Sequence, residues 1–365
     1  FLYNNRMIPR QCNILIWLPN WIGDVVMATP LLAALRKQYE HSLIRCVGKP
    51  AVMNLLSGGT LTEGFIADET SGGLKLPAML RLSRRIAEGN FDIAVLLPNS
   101  FRSAAIARLA GVRRIVGYSR DAREWLLSDR LSPKKNDAGG YIPVPMIEYY
   151  NAIGRVLGAD ATGIGMHLPL SDSDDRQAGL ELESAGHDQS RPLVMLNPGA
   201  AFGSSKLWPA ESFAAVGDLL TQRHGAQIIV NAAPSEQAIA ARVTAAMKCR
   251  PLMDFSTRTN TLGLLKGLLA RCSLLITNDT GARHVGVAMG SAVVTVFGST
   301  DPAWTTLDYP LERIVRTASP CAPCQKKICR LSGPGHHQCM RSISVDEVLS
   351  AGEELLRQVA EGRKQ

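Results

Sequence analysis

The 365-residue sequence is poor in aromatic side chains, which make up 5% of it. It has no short stretch that combines basic and aromatic residues in the way that stacks on bases, so nucleic acid is a disfavoured partner. It also has no run of about 18 apolar residues, the length that a membrane-spanning helix requires. Because no secretory signal precedes the first predicted strand, we expect a cytoplasmic protein.

Two common nucleotide-binding fingerprints are missing as well. The sequence contains neither the GxGxxG of dinucleotide-binding folds nor the GxxxxGK[ST] of phosphate-loop NTPases, which disfavours dehydrogenases and ATPases. What it does contain is an excess of basic residues, with a formal net charge of +8 and a pI near 9.2. This charge predicts an acidic partner, and by itself it fits nucleic acid, a sugar nucleotide or an anionic membrane surface.

The length and the hydrophobic pattern predict an α/β protein of two domains. A chain of this length exceeds one ordinary core, and its apolar runs are continuous rather than alternating, as in parallel strands covered on both faces. We place an N-terminal domain at residues 1–165 and a linker at residues 166–191, where Gly, Asp, Ser and Pro accumulate. A C-terminal domain follows at residues 192–344, and a terminal helix at 345–365.

Polar residues follow two predicted strands of the first half. Its strands are predicted at residues 13–18, 43–47, 64–68, 93–97 and 115–118. Asp24 stands where a helix begins after the first strand, and Pro30 is expected to bend or break that helix. A carboxylate at this strand end is also where such folds place chemistry. Asn99, Ser100 and Arg102 gather in the same way after the strand at 93–97.

The second half repeats this alternation, with strands predicted at residues 193–196, 227–230, 274–277 and 292–297. Ser205 and Lys206 follow the first of these strands, and Glu236 follows the second. A lysine can serve as a point charge against a phosphate, and a carboxylate can accept a hydrogen bond from a ribose hydroxyl. This half therefore predicts a nucleotide site.

Residues 274–297 read as one βαβ unit with a polar turn after its first strand. The turn and the helix that follows carry Asp279, Thr280, Gly281 and His284. Free backbone N–H groups at a helix start favour an anion, and Gly281 has no side chain to block close approach. The turn is thus a credible phosphate site. The alternative is that Asp279 and Thr280 only cap the helix.

Four motifs now stand in order along nearly the whole chain: PNWIGDVVM, LPNSFRSA, NPGAAFGSSKLWP and TNDTGARHVGVAMGSAVVTVFGSTDP. Together they resemble the ADP-heptose:lipopolysaccharide heptosyltransferases of glycosyltransferase family 9, most closely the type II group. The resemblance implies a GT-B fold, in which two Rossmann-like domains face each other across a cleft. It also implies that the C-terminal domain binds ADP-heptose and that the N-terminal domain binds the lipid A-core acceptor at the inner membrane face.

The resemblance assigns roles to the residues that match these motifs. Asp24 is similar to the catalytic base, and Lys206 to the lysine that binds the donor phosphate and sugar. The implied donor-binding residues are Ser205, Lys206, Glu236, Asp279, Thr280, Gly281 and His284, with Glu236 at the adenosine ribose. The implied acceptor-binding residues are Asn99, Ser100 and Arg102.

Inversion at the anomeric carbon without a metal or cofactor is also implied. This agrees with elementary chemistry, because a sugar hydroxyl is a poor nucleophile near neutral pH and a positioned carboxylate helps by accepting its proton. A helix N-terminus together with Lys206 can stabilise the ADP that leaves as an anion.

Other functions remain open at this point. The nearest are a heptosyltransferase of type I or III and another sugar-nucleotide transferase of the same fold. A sugar-nucleotide epimerase or hydrolase on a similar scaffold would need no acceptor surface. A non-catalytic nucleotide-binding protein is a third class, but it would give Asp24 no task.

Four of the eight cysteines lie close together near the C-terminus, beside His336 and His337. They are Cys321, Cys324, Cys329 and Cys339. A Cys-x-x-Cys pair with two later cysteines has a spacing typical of zinc sites, although the gaps are irregular compared with a zinc ribbon. The alternative is a surface loop whose cysteines stay reduced in the cytosol.

Overall fold

The computed structural model describes residues 11–70 and 76–362. The chain forms two compact units, one of Phe1–Pro169 with Ala303–Thr306 and one of Leu170–Pro302 with Leu307–Gln365. The division falls within residues 166–191, the segment expected to be a linker. Within the described ranges, no helix is both long and apolar enough to cross a membrane.

Among the described residues, the first unit contains one six-stranded parallel sheet in which all the predicted strands are present. Its strands are β1 (Ile14–Trp17), β2 (Ile44–Gly48), β3 (Phe65–Ala67), β4 (Ile93–Leu96), β5 (Arg114–Tyr118) and β6 (Asp129–Leu131). They lie in the order β3-β2-β1-β4-β5-β6. The last strand, β6, was not predicted because its residues belong to a charged stretch.

The helices of the first unit connect these strands. They are α1 (Ile22–Met27), α2 (Thr29–Gln38), α3 (Pro50–Leu56), α4 (Leu76–Ala87), α5 (Phe101–Leu109) and α6 (Met146–Val156). The predicted effect of Pro30 is confirmed, since the helix after β1 breaks at Ala28 and Pro30 occupies the first turn of α2. A missing N–H has no consequence there, because the first turn has no intrahelical acceptor for it.

The second unit holds the other sheet, again six parallel strands among the described residues. Its strands are β7 (Leu193–Asn197), β8 (Gln227–Val230), β9 (Met253–Asp254), β10 (Leu274–Asn278), β11 (Ala292–Val296) and β12 (Glu312–Val315). They lie in the order β12-β11-β10-β7-β8-β9. The four predicted strands are confirmed, whereas β9 and β12 were missed.

The helices of the second unit are α7 (Asp172–Ser184), α8 (Ala210–His224), α9 (Gln237–Ala246), α10 (Leu262–Leu269), α11 (Gly281–Ala288), α12 (Gln338–Arg341) and α13 (Val345–Gly362). Short 3₁₀ helices occur at Glu124–Leu126, Ser204–Lys206, Pro234–Glu236, Pro302–Trp304 and Gly333–Gly335. The terminal helix α13 begins where predicted, and residues 363–365 of the expected helix lie outside the described residues. Helix α7 is longer than the brief helical stretch expected between the domains.

The two sheets share one topology. Numbered within its own unit, each sheet has the strand order 3-2-1-4-5-6, and the order reverses between β1 and β4 in one unit and between β7 and β10 in the other. Ligands of open α/β sheets bind beyond the carboxyl ends of the strands at such a reversal. Asp24 follows β1, Arg102 follows β4, Lys206 follows β7 and Asp279 follows β10. The fold therefore brings the predicted site residues of each unit to the position where ligands bind.

Candidate active site

Three strand ends of the second unit meet at Asp279. The Lys206 ammonium Nζ donates to the Asp279 carboxylate Oδ2 at 2.5 Å and to the Asp279 backbone oxygen at 3.0 Å. The Thr300 hydroxyl donates to the same Oδ2 at 2.8 Å. Burial raises the pKa of Asp279, but Lys206, Arg283 and Thr300 outweigh it, so the net shift is downward. Asp279 is therefore an anion that fixes the position of Lys206.

The side chain of Asn278 holds the neighbouring loops together. Its Nδ2 donates to the backbone oxygens of Pro198 at 2.8 Å and Gly199 at 3.2 Å. Its Oδ1 accepts from the backbone N–H of Trp208 at 3.2 Å. Asn278 belongs to the fourth motif, but sequence reasoning gave it no role because its partners are distant in the chain.

A ladder of buried amides crosses the carboxyl ends of the strands. Asn260 donates to Asn231 at 2.7 Å, and Asn231 donates to Asn197 at 2.7 Å. Asn197 in turn donates to the hydroxyls of Thr277 at 3.0 Å and Thr280 at 3.3 Å. Because each amide donates to the next polar side chain, the ladder connects the ends of these strands.

The start of α11 has no side-chain cap from Thr280. This residue precedes the helix, and its side chain makes no capping hydrogen bond among the described residues. The Asp279 carboxylate is engaged with Lys206 and Thr300. The N–H groups of the first turn therefore lack the side-chain cap that the alternative interpretation expected, and an anion can satisfy them.

Arg283 is an unexpected buried cation behind this turn. Its guanidinium contacts the Glu312 carboxylate through two hydrogen bonds, at 2.6 Å from Nε and 2.9 Å from Nη2. Its Nη1 also lies 3.9 Å from Asp279 Oδ1. Sequence reasoning missed this pair because Glu312 belongs to β12, a strand that was not predicted.

His284 is fully enclosed and neutral. Burial and the nearby Arg283 charge lower its pKa to about 3. Its Nδ1 has no hydrogen-bond partner among the described residues. A buried imidazole nitrogen without a hydrogen-bond partner is unusual.

Glu236 and Ser205, the other predicted donor residues, have different surroundings. A Cβ atom at Gly199 would lie 2.1 Å from Glu236 Oε2, so the carboxylate rests directly on the loop after β7. Burial raises the pKa of Glu236, partly opposed by backbone N–H groups of Ala233 and Ala200. The buried Ser205 hydroxyl instead donates to the Lys326 backbone oxygen and contacts the Ser299 hydroxyl at 3.1 Å. Ser205 thus supports the loop.

In the first unit, Asp24 lies in the first turn of α1 and is half-buried. Tyr150, which is 2% exposed, lies close enough for the charge of Asp24 to affect its pKa. Burial raises the pKa of the Tyr150 hydroxyl well above its usual value, and the Asp24 charge adds to this. Tyr150 therefore stays neutral beside the carboxylate.

The predicted acceptor residues Asn99 and Ser100 are organised by Arg123, which is fully buried. Its guanidinium donates to the backbone oxygens of Pro98 at 2.6 Å and Ser100 at 3.2 Å, and to Asn99 Oδ1 at 3.3 Å. Tyr149 also donates to Asn99 Oδ1, at 3.1 Å. Arg123 was not singled out from the sequence, where it is one of several arginines in a charged run.

Arg102 already has an anionic partner. Its guanidinium binds the Asp68 carboxylate through two hydrogen bonds of 2.6 and 3.2 Å, and Asp68 is itself buried. Thr70 contacts the same carboxylate through its hydroxyl and its backbone N–H. Arg102 and Asp68 thus connect the ends of β4 and β3.

Beside these residues, the first unit contains a basic cavity of about 860 Å³. Cationic and aromatic side chains line it, among them Arg120, Arg130, Lys134, Tyr141 and Arg155. Arg120 stacks over the Tyr141 ring, with its guanidinium carbon 4.2 Å from the ring centroid. Nearly all of its lining residues lie between positions 118 and 156, but basic residues in a charged stretch do not by themselves indicate that the stretch encloses a cavity.

Residues 79–333, more than half of the chain, match the model of the protein family described as "Glycosyltransferase family 9 (heptosyltransferase)". The chain belongs to glycosyltransferase family 9. It is therefore a glycosyltransferase, and the family expected from its motifs is confirmed.

The relatives extend this likeness over the whole length. The chain is 26% identical to lipopolysaccharide heptosyltransferase 2 of Escherichia coli K12, covering 94% of this chain and 99% of that protein. A solved family 9 glycosyltransferase from Veillonella parvula has a TM-score of 0.81 at 24% identity, covering 95% of this chain and 97% of the other. The solved E. coli ADP-heptose LPS heptosyltransferase II has a TM-score of 0.75 at 24% identity, covering 95% and 99%. The predicted α/β GT-B fold is confirmed.

Proposed function

We propose that this glycosyltransferase transfers L-glycero-D-manno-heptose from ADP-heptose to the inner core of lipopolysaccharide, with inversion at the anomeric carbon and without a metal. The observation that carries the proposal is the assembly of Lys206, Asp279 and the start of α11 at the strand reversal of the second unit. The names of the relatives, which include lipopolysaccharide heptosyltransferase 2, support the sugar and the acceptor class.

The second unit provides groups for the donor diphosphate. A lysine ammonium carries three N–H donors, and Asp279 accepts two hydrogen bonds from Lys206. The third can therefore contact a phosphate oxygen, together with the N–H groups at the start of α11. Lys327 is a further cation near this loop, since the ammonium groups of Lys206 and Lys327 lie 4.8 and 5.9 Å from the centroid of the same Phe202 ring.

Groups suited to the two sugars lie around this position. The unpartnered Nδ1 of neutral His284 and the carboxylate of Asp279 can bond heptose hydroxyls. Glu236, on the neighbouring strand end, is suited to the hydroxyls of the adenosine ribose. The donor would then extend along the carboxyl edge of the second sheet.

Asp24 is the proposed general base. The acceptor hydroxyl oxygen attacks the anomeric carbon of heptose from the face opposite ADP, and its proton passes to the Asp24 carboxylate. The bond between that carbon and the ADP oxygen breaks, and ADP leaves with the electron pair. Lys206 and the α11 start stabilise the negative charge that develops on the leaving group.

The basic cavity of the first unit is the proposed acceptor surface, together with Asn99 and Ser100, whereas Arg102 is engaged by its ion pair with Asp68. Arg120, Arg130 and Lys134 offer cations to phosphate or carboxylate groups, which a lipopolysaccharide inner core carries. Because such an acceptor is anchored by lipid A, we place the reaction at the cytoplasmic face of the inner membrane. The positive net charge favours peripheral association with this anionic surface.

Product analysis tests the proposal. Purified protein is incubated with ADP-heptose and a panel of inner-core acceptors that differ in their terminal sugars, and mass spectrometry follows the products. We expect one heptose to be added to the acceptor that a type II enzyme uses, with the anomeric configuration inverted by NMR. Transfer to a type I or type III acceptor would assign the chain to those groups, and donor consumption without acceptor would favour an epimerase or hydrolase.

Metal independence has its own test. Since Lys206 and the helix start are proposed to stabilise the departing diphosphate, added Mg²⁺ should leave kcat unchanged. The assay is run with Mg²⁺ from zero to millimolar concentrations. A rate that rises in proportion to Mg²⁺ occupancy would contradict the metal-free step.

A further inference from the structure

The four clustered cysteines converge in the structure. They are spaced as Cys321-x2-Cys324-x4-Cys329-x9-Cys339 in the segment between β12 and α13. All four are free thiols. They line one cavity of about 160 Å³, together with His337.

Cys329 and the adjacent histidines form the tightest part of this cluster. The Cys329 sulfur and one ring nitrogen each of His336 and His337 all lie within 4.8 Å of one another. No other group of three such residues within this distance occurs in the described part of the chain. The backbone N–H of His337 also donates to the Cys329 sulfur at 3.3 Å. Such a hydrogen bond orients a sulfur that binds a metal.

The His337 ring also favours a metal site at this cluster. Its Nε2 is buried and has no hydrogen-bond partner among the described residues. Because buried polar atoms nearly always have a hydrogen-bond partner, an unpartnered imidazole nitrogen beside several thiols favours a metal ligand.

We propose that the cavity formed by Cys321, Cys324, Cys329, Cys339 and His337 binds one thiophilic transition-metal ion, Zn²⁺ or Fe²⁺. Cys329 supplies one ligand, and the candidates for the other three are Cys321, Cys324, Cys339, His336 and His337. Four sulfur or mixed sulfur and nitrogen ligands suit tetrahedral coordination by either metal. With four protein ligands the site is closed, so its role is structural and lies outside the chemical step.

The surroundings of the site indicate what the metal stabilises. The backbone N–H of Ser205 donates to the Lys327 backbone oxygen at 3.1 Å, and the Gln325 N–H donates to the Ser299 backbone oxygen at 2.8 Å. A Cβ atom at Gly203 would lie 2.2 Å from the Lys327 backbone oxygen. The loop between Cys324 and Cys329 therefore packs directly against the loop that carries Lys206.

A second contact runs from the other end of the cysteine segment. A Cβ atom at Gly298 would lie 3.0 Å from the Cys339 backbone oxygen and 2.3 Å from the Met340 sulfur. Gly298 follows β11 and precedes Thr300, which donates to Asp279. The metal would thus hold both loops that fix Lys206 and Asp279, an inference that rests on the proposed donor site.

Metal analysis of the purified full-length protein tests the site itself. We expect about one equivalent of zinc or iron per chain in the wild type. The paired substitution of Cys321→Ser and Cys324→Ser, and separately Cys329→Ser, should reduce it to a small fraction. Cys249→Ser is the matched control, since Cys249 is a half-buried free cysteine outside the cluster, and it should retain the metal.

The identity of the metal and of the fourth ligand follows from the same samples. Elemental analysis distinguishes zinc from iron. Replacement by Co²⁺ gives a visible spectrum that reports the number of thiolate ligands, so the Cys339→Ser and His337→Ala variants show which residue completes the site. If wild-type protein carries no metal and takes up neither Zn²⁺ nor Co²⁺ under reducing conditions, the proposal is wrong.

Loss of the metal should also affect the donor site. Metal removed from wild-type protein by a thiol-reactive reagent and later restored keeps the sequence constant and avoids variants that fail to fold. In the metal-free form we expect ADP to bind roughly tenfold to a hundredfold more weakly, the scale of a small displacement of binding groups, with recovery on adding Zn²⁺. Unchanged ADP binding would refute this support role while leaving the metal site standing. Failure of wild-type protein to bind ADP at all would instead refute the proposed function.

Discussion

The carboxyl edges of the two sheets use their polar residues differently. In the second unit, Lys206, Asp279 and Thr300 contact one another, and the start of α11 has no side-chain cap among the described residues. In the first unit, Arg102 binds Asp68 and Asn99 binds Arg123, and the exposed cations lie in the adjacent cavity.

This difference separates two kinds of site. The second edge is a preorganised network of short contacts, suited to a small ligand with fixed charges such as a nucleotide diphosphate. The first edge is a rigid frame beside a wide basic cavity, suited to a large acceptor whose anionic groups are spread out. Residues in the network should control donor affinity, whereas residues in the cavity should control acceptor affinity.

The largest effect is expected at Asp24. The variant Asp24→Asn should lose roughly 10²- to 10⁴-fold in kcat, because it cannot accept the acceptor proton, while ADP-heptose affinity stays nearly the same. Steady-state kinetics and calorimetry of the donor measure the two quantities. Asp172→Asn is the control, since Asp172 is also an acid in the first turn of a helix. If both variants turn over at the wild-type rate, Asp24 only stabilises its helix.

Arg102→Ala should mainly lower stability. The variant leaves the buried Asp68 carboxylate without its cation, which costs about 3 kcal/mol of the free energy of unfolding. Urea denaturation measures this loss, and Arg102→Ala combined with Asp68→Asn should restore part of it. A variant with wild-type stability and a strongly raised acceptor KM would instead assign Arg102 to direct acceptor binding.

Removal of positive charge from the basic cavity should have a smaller effect, which is confined to the KM of the acceptor. The variant Arg130→Ala combined with Lys134→Ala should raise the acceptor KM about tenfold, the scale of a charge-assisted contact, with ADP affinity unchanged. Arg84→Ala, on the exposed face of α4, is the matched control. If Arg84→Ala raises the acceptor KM as much as the double variant does, the cavity has no specific role and acts only through the general positive charge of the surface.

A further prediction concerns His284 and pH. Folded protein keeps this imidazole neutral because its pKa is about 3, whereas the unfolded chain takes up a proton near pH 6.5. The free energy of unfolding should therefore fall as pH decreases from about 6.5 towards 3. His284→Gln should have a shallower dependence over this range in denaturation experiments. Donor affinity should show no step from His284 between pH 5 and 8, and such a step would contradict a neutral His284.

Most of the fold could be predicted from the sequence because the central strands are short, continuous apolar runs. The exceptions have physical reasons. β12 contains Glu312 and Arg313, charges that are tolerated in a strand only because Arg283 and Glu354 pair with them. β9 is two residues long, too short to give a pattern.

The candidate site was predictable where local motifs mark strand ends, and not where distant partners decide a role. Asp279 and Lys206 were identified from strand-to-helix turns, but their direct contact was not. Arg283 and Arg123 were missed because their function depends on burial, which one sequence does not reveal for an arginine. The acceptor residues Asn99 and Ser100 remain predictions, with Arg123 now known to hold their loop.

The most direct test of the account is a calorimetric titration of ADP and ADP-heptose into wild type, Lys206→Ala and Asp279→Ala. Lys206→Ala should bind ADP roughly 10- to 150-fold more weakly, since a charge-assisted contact is worth about 1.5–3 kcal/mol. Asp279→Ala should weaken ADP-heptose more than ADP, because the carboxylate is proposed to accept a heptose hydroxyl in addition to holding Lys206. If Lys206→Ala binds ADP as tightly as the wild type does, the diphosphate is not bound at this edge, and the placement of the donor in the second unit is wrong.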